Sequence, residues 1–147
     1  MIMITKSSGI SNILVDTCIW SSLLRRNASL ESSEKQILLK LIQQTHVILL
    51  GVVRQEVLSG IRDMQQFERI RQKLRPFPDF PLTTEDYEKV AEFYNLCRAK
   101  GVQGSPTDFL LCAVSHRYHF PIFTTDRDFK HFQKYLDFQL YYANSEQ

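Results

Sequence analysis

The sequence predicts an α/β sandwich built around a mainly parallel sheet. Short apolar runs of the kind that buried parallel strands require alternate with segments of helical periodicity. The chain has 147 residues, of which 44% are hydrophobic and 23% charged, enough for one domain with a sizeable core. Three acidic residues end such runs or lie in the helix that follows, and ligands of parallel sheets bind at the carboxyl ends of the strands. The sequence therefore predicts a functional site at that edge.

The first half of the chain contains two strand candidates, each followed by a helix candidate. NILVD (residues 12–16) is an apolar run that ends on Asp16, and TCIWSSLLRR follows it as a short helix. Apolar residues at helical spacing predict an amphipathic helix within residues 30–44. HVILLG (residues 46–51) predicts the second strand, and VVRQEVLSG after it predicts a short helix that ends at Gly60.

The second half begins with the most basic stretch of the chain, residues 62–75, whose apolar residues also fall on one helical face. The prolines of RPFPDFP then end that helix. The remaining predicted elements are a helix over residues 85–100, a helix from Ser105, a strand at PIFTT, a short helix containing Phe129 and Phe132, and an edge strand at FQLYY.

The cysteines and the hydropathy of the sequence indicate the redox environment of the protein and whether it associates with a membrane. Cys18, Cys97 and Cys112 are odd in number and widely spaced, which favours buried thiols in a reducing cytoplasm over disulfides or a zinc site. No apolar run approaches the ~20 residues of a membrane helix, so no membrane partner is expected. The start of the chain lacks a secretory pattern, and we expect a flexible leader at residues 1–11 followed by a single domain at residues 12–147.

Asp16, Glu56 and Asp126 each follow a predicted strand, and parallel strands would bring all three to the same edge of the sheet. Each residue also has a simpler explanation. Asp16 would cap the next helix, Glu56 would be a solvated helix residue, and Asp126 would form a turn. These explanations weaken when the three acids are taken together, because they do not account for the convergence.

Asp108 is the fourth acid, in the segment SPTDFLL. Ser105 occupies the N-cap position, Pro106 the first helical position and Asp108 the third, which is close to a capping box. A capping box would use Asp108 only to hold the start of the helix. A carboxylate there can also point into a shared pocket, so the two roles are compatible.

Four carboxylates at one edge repel one another unless a cation lies between them. A ligand set made of oxygen atoms, with no histidine or cysteine nearby, suits Mg²⁺ or Mn²⁺ better than zinc. Such ions bridge phosphate oxygens and activate water. The residues therefore predict a phosphodiester as the substrate.

Four segments in this order resemble the motif set of PIN-domain ribonucleases, and especially the VapC-like toxins of type II toxin-antitoxin modules: ILVDTCIW, VVRQEVLSG, SPTDFLLCAVS and IFTTDRDF. The resemblance runs from about Asn12 to the C-terminus. It implies a PIN-like α/β/α sandwich with a mainly parallel central sheet of about four to five strands. It also implies a Mg²⁺- or Mn²⁺-dependent endoribonuclease that hydrolyses RNA phosphodiesters.

The resemblance assigns roles to six residues of this chain. Asp16, Glu56, Asp108 and Asp126 would carry the metal and the catalysis, with Thr124 as an auxiliary. Asp128 would be either a water-mediated ligand or only the cap of the following helix. One departure is Cys18, where a small polar residue such as serine or asparagine is common in the family.

An acidic site that cuts a polyanion needs cations nearby, and the net charge of +2 says little without its distribution. The candidates for contacts to RNA phosphates lie in and around the most basic stretch. They are Arg54, Arg62, Arg71 and Arg75. The alternative is an ordinary solvated helix face.

The resemblance further implies a cytoplasmic homodimer and a cognate VapB-like antitoxin that inserts into the acidic groove. A non-toxin PIN-domain protein, acting in RNA processing or as an RNA-binding scaffold, remains an alternative. A phospho-receiver domain fits less well, because the phospho-accepting aspartate and late lysine it requires are not evident. A haloacid-type phosphatase needs a second aspartate two residues after the first, where Cys18 stands.

Overall fold

The computed structural model describes residues 12–24, 33–44 and 46–142. The predicted leader at residues 1–11 lies outside these ranges. Apart from the edge strand expected at FQLYY, the predicted strands and helices occur in the expected order. They are β1 (Ile13–Val15), α1 (Thr17–Leu24), α2 (Ser33–Gln43), β2 (Val47–Ile48), α3 (Gly51–Leu58), α4 (Met64–Leu74), α5 (Thr84–Ala99), α6 (Pro106–Tyr118), β3 (Ile122–Phe123) and α7 (Asp128–Phe132).

The three strands form a parallel sheet in the order β2-β1-β3. Ile13 pairs with Val47 on one side of β1, and Leu14 pairs with Ile122 on the other. All three residues of β1 are buried, as expected for a central parallel strand that has both faces covered. The predicted α/β fold with a parallel sheet is confirmed, and the carboxyl ends of the strands meet at one edge.

The described sheet contains three strands, fewer than the four to five expected. The segment FQLYY contributes one parallel bridge, between Leu140 and Ile122, in place of a continuous edge strand. The Ile122 amide donates to the carbonyl of Gln139 (2.9 Å), and the Tyr141 amide donates to the carbonyl of Ile122 (2.8 Å). The segment therefore meets β3 at a single residue, and the alternating pattern overestimated the length of its pairing.

Local capping explains where the longer helices begin. The carboxylate of Asp63 accepts hydrogen bonds from the first turn of α4. Thr83 forms a capping box with Asp86 at the start of α5, and Ser105 forms one at the start of α6. The α6 capping box matters for function because it fixes a helix start at the acidic edge of the sheet.

The core lies on both sides of the sheet and includes Trp20, Phe109, Phe129 and Phe132, all at most 1% exposed. The loop before α6 is packed closely against it, since a Cβ atom on Gly104 would lie 2.7 Å from the ring of Phe132. Among the described helices none combines the length and the apolar character needed to cross a bilayer.

The cysteine prediction is correct for two residues and wrong for one. Cys97 and Cys112 are buried, and burial raises the pKa of both thiols. Cys18 is exposed. It lies in the first turn of α1, at the edge of the sheet. Its apolar neighbours Ile19 and Trp20 are buried, whereas the Cys18 side chain is not.

Candidate metal-binding site

Asp16 lies directly after β1 and is only 7% exposed. Its backbone is held at the N-cap position of α1, since its amide donates to the carbonyl of Phe123 (3.0 Å) and its carbonyl accepts from the amide of Trp20 (3.3 Å). Its Oδ1 accepts from the amide of Thr17 (2.7 Å), and its Oδ2 accepts from the hydroxyl of Thr124 (2.7 Å). Asp16 therefore begins a helix and also presents a fixed carboxylate between β1 and β3.

Glu56 is an exposed residue of α3 whose carboxylate is nevertheless held at both oxygens. Its Oε1 accepts from the hydroxyl of Thr17 (2.7 Å), and its Oε2 accepts from the hydroxyl of Thr107 (2.8 Å). These threonines are the sequence neighbours of Asp16 and Asp108. Glu56 thus joins the start of α1 to the start of α6, which a merely solvated helix residue would not do.

Asp108 forms the predicted capping box at the start of α6. Its amide donates to Oγ of Ser105 (3.1 Å), and its Oδ2 accepts from the amide of Ser105 (3.0 Å). In the described part of the chain, Oδ1 of Asp108 has no hydrogen-bond partner. The side chain can therefore cap the helix through one oxygen and keep the other available.

Asp126 forms the turn between β3 and α7. Its amide donates to Oγ1 of Thr124 (3.0 Å), and its Oδ1 accepts from the amide of Asp128 (2.9 Å). Because Thr124 also donates to Asp16, one hydroxyl links the two acidic strand ends. Asp128 is exposed and is the first residue of α7. Asp126 therefore forms the predicted turn, and Thr124 connects it to Asp16 at the same edge of the sheet.

The acids interact electrostatically across the edge. Burial raises the pKa of Asp16, and the charge of Asp126 adds to this, while hydrogen bonds from Thr124, Thr17 and Cys18 oppose it. Burial also raises the pKa of Asp108, and the charges of Asp16 and Asp126 add to that increase. Three carboxylates from three separate segments therefore share one region of negative potential, which a cation would stabilise.

Comparison with known proteins identifies the family. The family model of the PIN domain matches residues 13–135. The chain belongs to the PIN-domain family. This PIN domain is similar to the crystal structure of FitAcB from Neisseria gonorrhoeae, with a TM-score of 0.66, 16% identity, and coverage of 86% of this chain and 96% of that chain.

A second solved structure shares the fold of this PIN domain. It is VapBC2 from Rickettsia felis bound to a DNA fragment from their promoter, with a TM-score of 0.70, 13% identity, and coverage of 88% of this chain and 96% of that chain. At identities this low, the structural similarity shows a common fold and nothing further. No curated protein sequence matches the chain significantly.

Most of the potential ligands at the PIN-domain edge are carboxylate and hydroxyl oxygens, which suit a hard divalent cation. The expectation that no cysteine lies nearby is wrong, because the Cys18 thiol lies beside Asp16. Within residues 12–24, 33–44 and 46–142, however, no three Asp, Glu, His or Cys side chains are grouped closely enough to form a ready-made metal site. The hydrogen bonds explain this separation. Glu56 is turned toward two threonines, Asp108 toward Ser105, and Asp126 toward the start of α7.

Cys18 contacts the same edge through its thiol. Its Sγ lies 3.7 Å from Oδ2 of Asp16, 3.6 Å from Oγ1 of Thr124 and 3.4 Å from Oγ1 of Thr125. The thiol is a weak hydrogen-bond donor, so Cys18 supports the Asp16 carboxylate more weakly than a serine hydroxyl would. The departure from the family pattern leaves the acids themselves unchanged.

The arginines predicted to bind RNA differ in their surroundings. Nε of Arg54 lies 2.8 Å from Oδ1 of Asp79, and its guanidinium also donates to the carbonyls of Leu74 (3.1 Å) and Phe77. The Arg54 side chain is 22% exposed. These bonds link the segment that follows α4 to α3. The donors of the Arg54 side chain are therefore used by acceptors within the protein.

The other predicted cations lie in or beside α4. Arg71 pairs with Glu68 on the same helix, and its guanidinium lies 5.9 Å from the ring centroid of Phe67. Arg62 and Arg75 are exposed. Hydrogen bonds from Gln72 and Arg71 lower the pKa of Glu68, and the charges of Arg71 and Arg75 add to this. Because Arg71 is paired with Glu68, the basic stretch offers fewer cations for RNA than its composition indicates.

Proposed function

We propose that this PIN domain is a Mg²⁺- or Mn²⁺-dependent endoribonuclease that hydrolyses RNA phosphodiesters, and that it is the toxin of a type II toxin-antitoxin pair. The observation that carries the proposal is the shared negative region of Asp16, Asp108 and Asp126 at the sheet edge of a PIN domain. That arrangement favours a divalent cation, and divalent cations bind phosphate oxygens.

Asp16, Asp108 and Asp126 are the proposed metal ligands. Asp16 follows β1, Asp126 follows β3 and Asp108 lies in the first turn of α6, and each carboxylate accepts a hydrogen bond from a backbone amide or a threonine hydroxyl. The cation would act as a Lewis acid on the scissile phosphate and increase the acidity of bound water. We place Asp128 at the start of α7 and outside the ligand set.

Glu56 is proposed to orient the attacking water and to accept its proton. A carboxylate has about four acceptor sites, so the hydrogen bonds from Thr17 and Thr107 leave about two for the water. A fixed acceptor lowers the entropic cost of reaching the attack geometry. Hydrolysis in line with the leaving oxygen would leave 5′-phosphate and 3′-hydroxyl ends.

The proposed partner is a VapB-like antitoxin that inserts a segment into the acidic groove. The two solved neighbours are VapBC2 and FitAcB complexes, which supports a partner of this class. A basic residue of the antitoxin would neutralise the carboxylates as a cation does. We also propose that the protein acts in the cytoplasm as a homodimer.

The test is expression of the wild type, Asp16→Asn and Asp137→Asn in cells, followed by mapping of new RNA 5′ ends. Asp137 is 93% exposed and provides a control that removes one surface charge. We expect growth arrest and new 5′ ends from the wild type and Asp137→Asn, and neither from Asp16→Asn. Arrest without new ends, or equal arrest by all three proteins, would refute the proposed function.

A further inference from the structure

The loop that joins α5 to α6 borders a pocket of ≈350 Å³. This volume is within the range of small-molecule sites, ~300–1,000 Å³, and accommodates one base with part of its sugar. The lining residues are Tyr94, Arg98, Val102, Gln103, Gly104 and Phe109.

The apolar side of the pocket is rigid. Phe109 is 1% exposed, and the ring of Tyr94 packs edge-on against it at 5.6 Å between centroids. Gly104 is packed against Phe109 and Phe132, where a Cβ atom would not fit without displacement. Tyr94 remains 39% exposed, so an aromatic surface faces solvent on a well-packed base.

The two polar side chains of the pocket have no partner among the described residues. Arg98 and Gln103 are exposed, and neither side chain has a hydrogen bond or an ion pair with any other residue that the structure describes. This distinguishes Arg98 from Arg54 and Arg71, which are paired with acidic side chains. An unpaired guanidinium next to an exposed aromatic ring suits a ligand that has both a flat ring and a phosphate.

The pocket is continuous in sequence with the acidic edge. Gly104 immediately precedes Ser105, and Ser105 holds Asp108 through both its hydroxyl and its amide. The loop that forms one wall of the pocket therefore ends at Ser105, three residues before the proposed metal ligand Asp108. A strand bound across Asp108 would place a neighbouring nucleotide within reach of this loop.

We propose that this pocket binds a nucleotide of single-stranded RNA next to the phosphodiester that is cut, an inference that rests on the proposed function. The base stacks on Tyr94, the Arg98 guanidinium contacts a backbone phosphate, and the Gln103 amide bonds to the edge of the base. Stacking on aromatic side chains is the usual way in which proteins hold unpaired bases.

The test measures equilibrium binding of fluorescein-labelled single-stranded oligo(A) and oligo(U) of about 10 nucleotides, a length typical of single-strand sites. The measurements use the Asp16→Asn background, so that no RNA is cut. We expect Tyr94→Ala to raise Kd by about 5- to 100-fold and Tyr94→Phe to restore the affinity, since the ring stacks without its hydroxyl. Arg98→Ala is expected to reduce the slope of log K against log salt by about 0.7.

Two variants serve as controls. Leu96→Ala removes an exposed apolar side chain from the same helix, and Lys40→Ala removes one exposed charge from α2. Both should bind RNA like their parent. A second measurement, steady-state cleavage in the active background, should give a raised KM and an unchanged kcat for Tyr94→Ala.

The outcomes separate this inference from the proposed function. RNA affinity equal to the parent in both Tyr94→Ala and Arg98→Ala would overturn the pocket assignment, even if the wild type cuts RNA. So would a salt slope that responds to Arg62→Ala or Arg75→Ala and not to Arg98→Ala. Loss of binding in the pocket variants of a protein that cuts no RNA would support the pocket and refute the nuclease.

Discussion

Asp108 illustrates how a single carboxylate can serve both structure and chemistry. Its Oδ2 and its amide form the capping box with Ser105, while burial and two neighbouring acids raise its pKa. A carboxylate used only as a cap would have its lowest electrostatic free energy when exposed to solvent, where its charge is hydrated. The raised pKa indicates that the position has an electrostatic cost, which a bound cation would offset.

The first prediction separates these roles. Asp108→Asn keeps a side-chain acceptor for the cap, so we expect a change in unfolding free energy below about 1 kcal/mol and a loss of cleavage of at least ~100-fold. Asp108→Ala should lose cleavage equally and also cost about 1 kcal/mol of stability. Urea unfolding and metal-dependent cleavage, measured side by side, provide the check. Cleavage by Asp108→Asn at the wild-type rate would remove Asp108 from the mechanism.

The second prediction concerns Thr107, whose hydroxyl holds Glu56. Thr107→Val keeps the shape of the side chain and removes only the donor, so we expect kcat to fall about 10-fold with KM unchanged, because the carboxylate loses its orientation. Thr107→Ser should restore the rate. A rate that is unaffected in Thr107→Val, with the fold intact, would show that the hydrogen bond has no positioning role.

At the residue scale, the sequence singled out the four acids and Thr124, but not Thr17 and Thr107, which hold Glu56. Acids after strands are recognisable because the fold class determines where strands end. The hydrogen bonds of Glu56 to Thr17 and Thr107 span 39 and 51 residues, and no local pattern shows which hydroxyl meets which carboxylate. The only signal was that each threonine is adjacent to an acid already singled out.

At the scale of elements, a buried ionic network joins the start of α5 to the end of α6. Asp86 is 0% exposed and accepts from the side chains of Arg117 (2.6 Å) and Tyr118 (3.0 Å), in addition to its capping box with Thr83. Burial alone would raise the pKa of Asp86, but the hydrogen bonds from Thr83, Arg117 and Tyr118 outweigh it and lower the pKa. The network thereby orients the helix that carries Asp108.

The third prediction follows from the sign of that shift. A carboxyl group whose pKa is lower in the folded state stabilises the fold above its unfolded value, 3.8, and loses this contribution as pH falls through the folded value. Asp86→Ala should therefore cost about 3 kcal/mol near neutral pH, toward the low end for buried pairs because Arg117 is 32% exposed. The variant's disadvantage should shrink below about pH 4. Urea unfolding across pH tests this, and a constant difference at all pH values would contradict it.

The fourth prediction concerns Arg54, which fastens the connection after α4 to α3. Arg54→Ala leaves carbonyl groups without their donor, so we expect a stability loss of about 1–3 kcal/mol. The salt dependence of RNA binding should stay the same, because the guanidinium contacts protein acceptors. A reduced salt slope with unchanged stability would instead support the sequence-based assignment of Arg54 to RNA.

Helices were easier to predict than strands in this chain. Capping motifs such as Ser105 with Asp108 mark helix starts chemically, and the structure begins α6 at Pro106 as expected. Strand length depends on partners elsewhere in the chain, so FQLYY reads as a strand although it forms one bridge, at Leu140. The same limit explains Arg54, since its partners Asp79, Leu74 and Phe77 come together only in the fold.

At the scale of the whole molecule, the parallel sheet brings together acidic residues that are distant in the sequence. Asp16 and Asp126 are separated by most of the chain, yet both lie past strands that pair directly, and Thr124 bonds to both residues. Burial raises the pKa of Asp16 and of Asp108, so these two carboxylates oppose folding when ionised, and this cost decreases as pH falls. The proposed cation would offset this repulsion.

The most direct test of the account is the rate at which the purified protein cleaves a single-stranded RNA as Mn²⁺ is titrated, for the wild type, Asp16→Asn and Asp137→Asn. If a carboxylate-bound metal ion drives the reaction, the wild type and Asp137→Asn should show saturable, Mn²⁺-dependent cleavage that EDTA abolishes. Asp16→Asn should be slower by at least ~100-fold at every Mn²⁺ concentration. Cleavage that persists in EDTA, or that is equal in Asp16→Asn and the wild type, would contradict it.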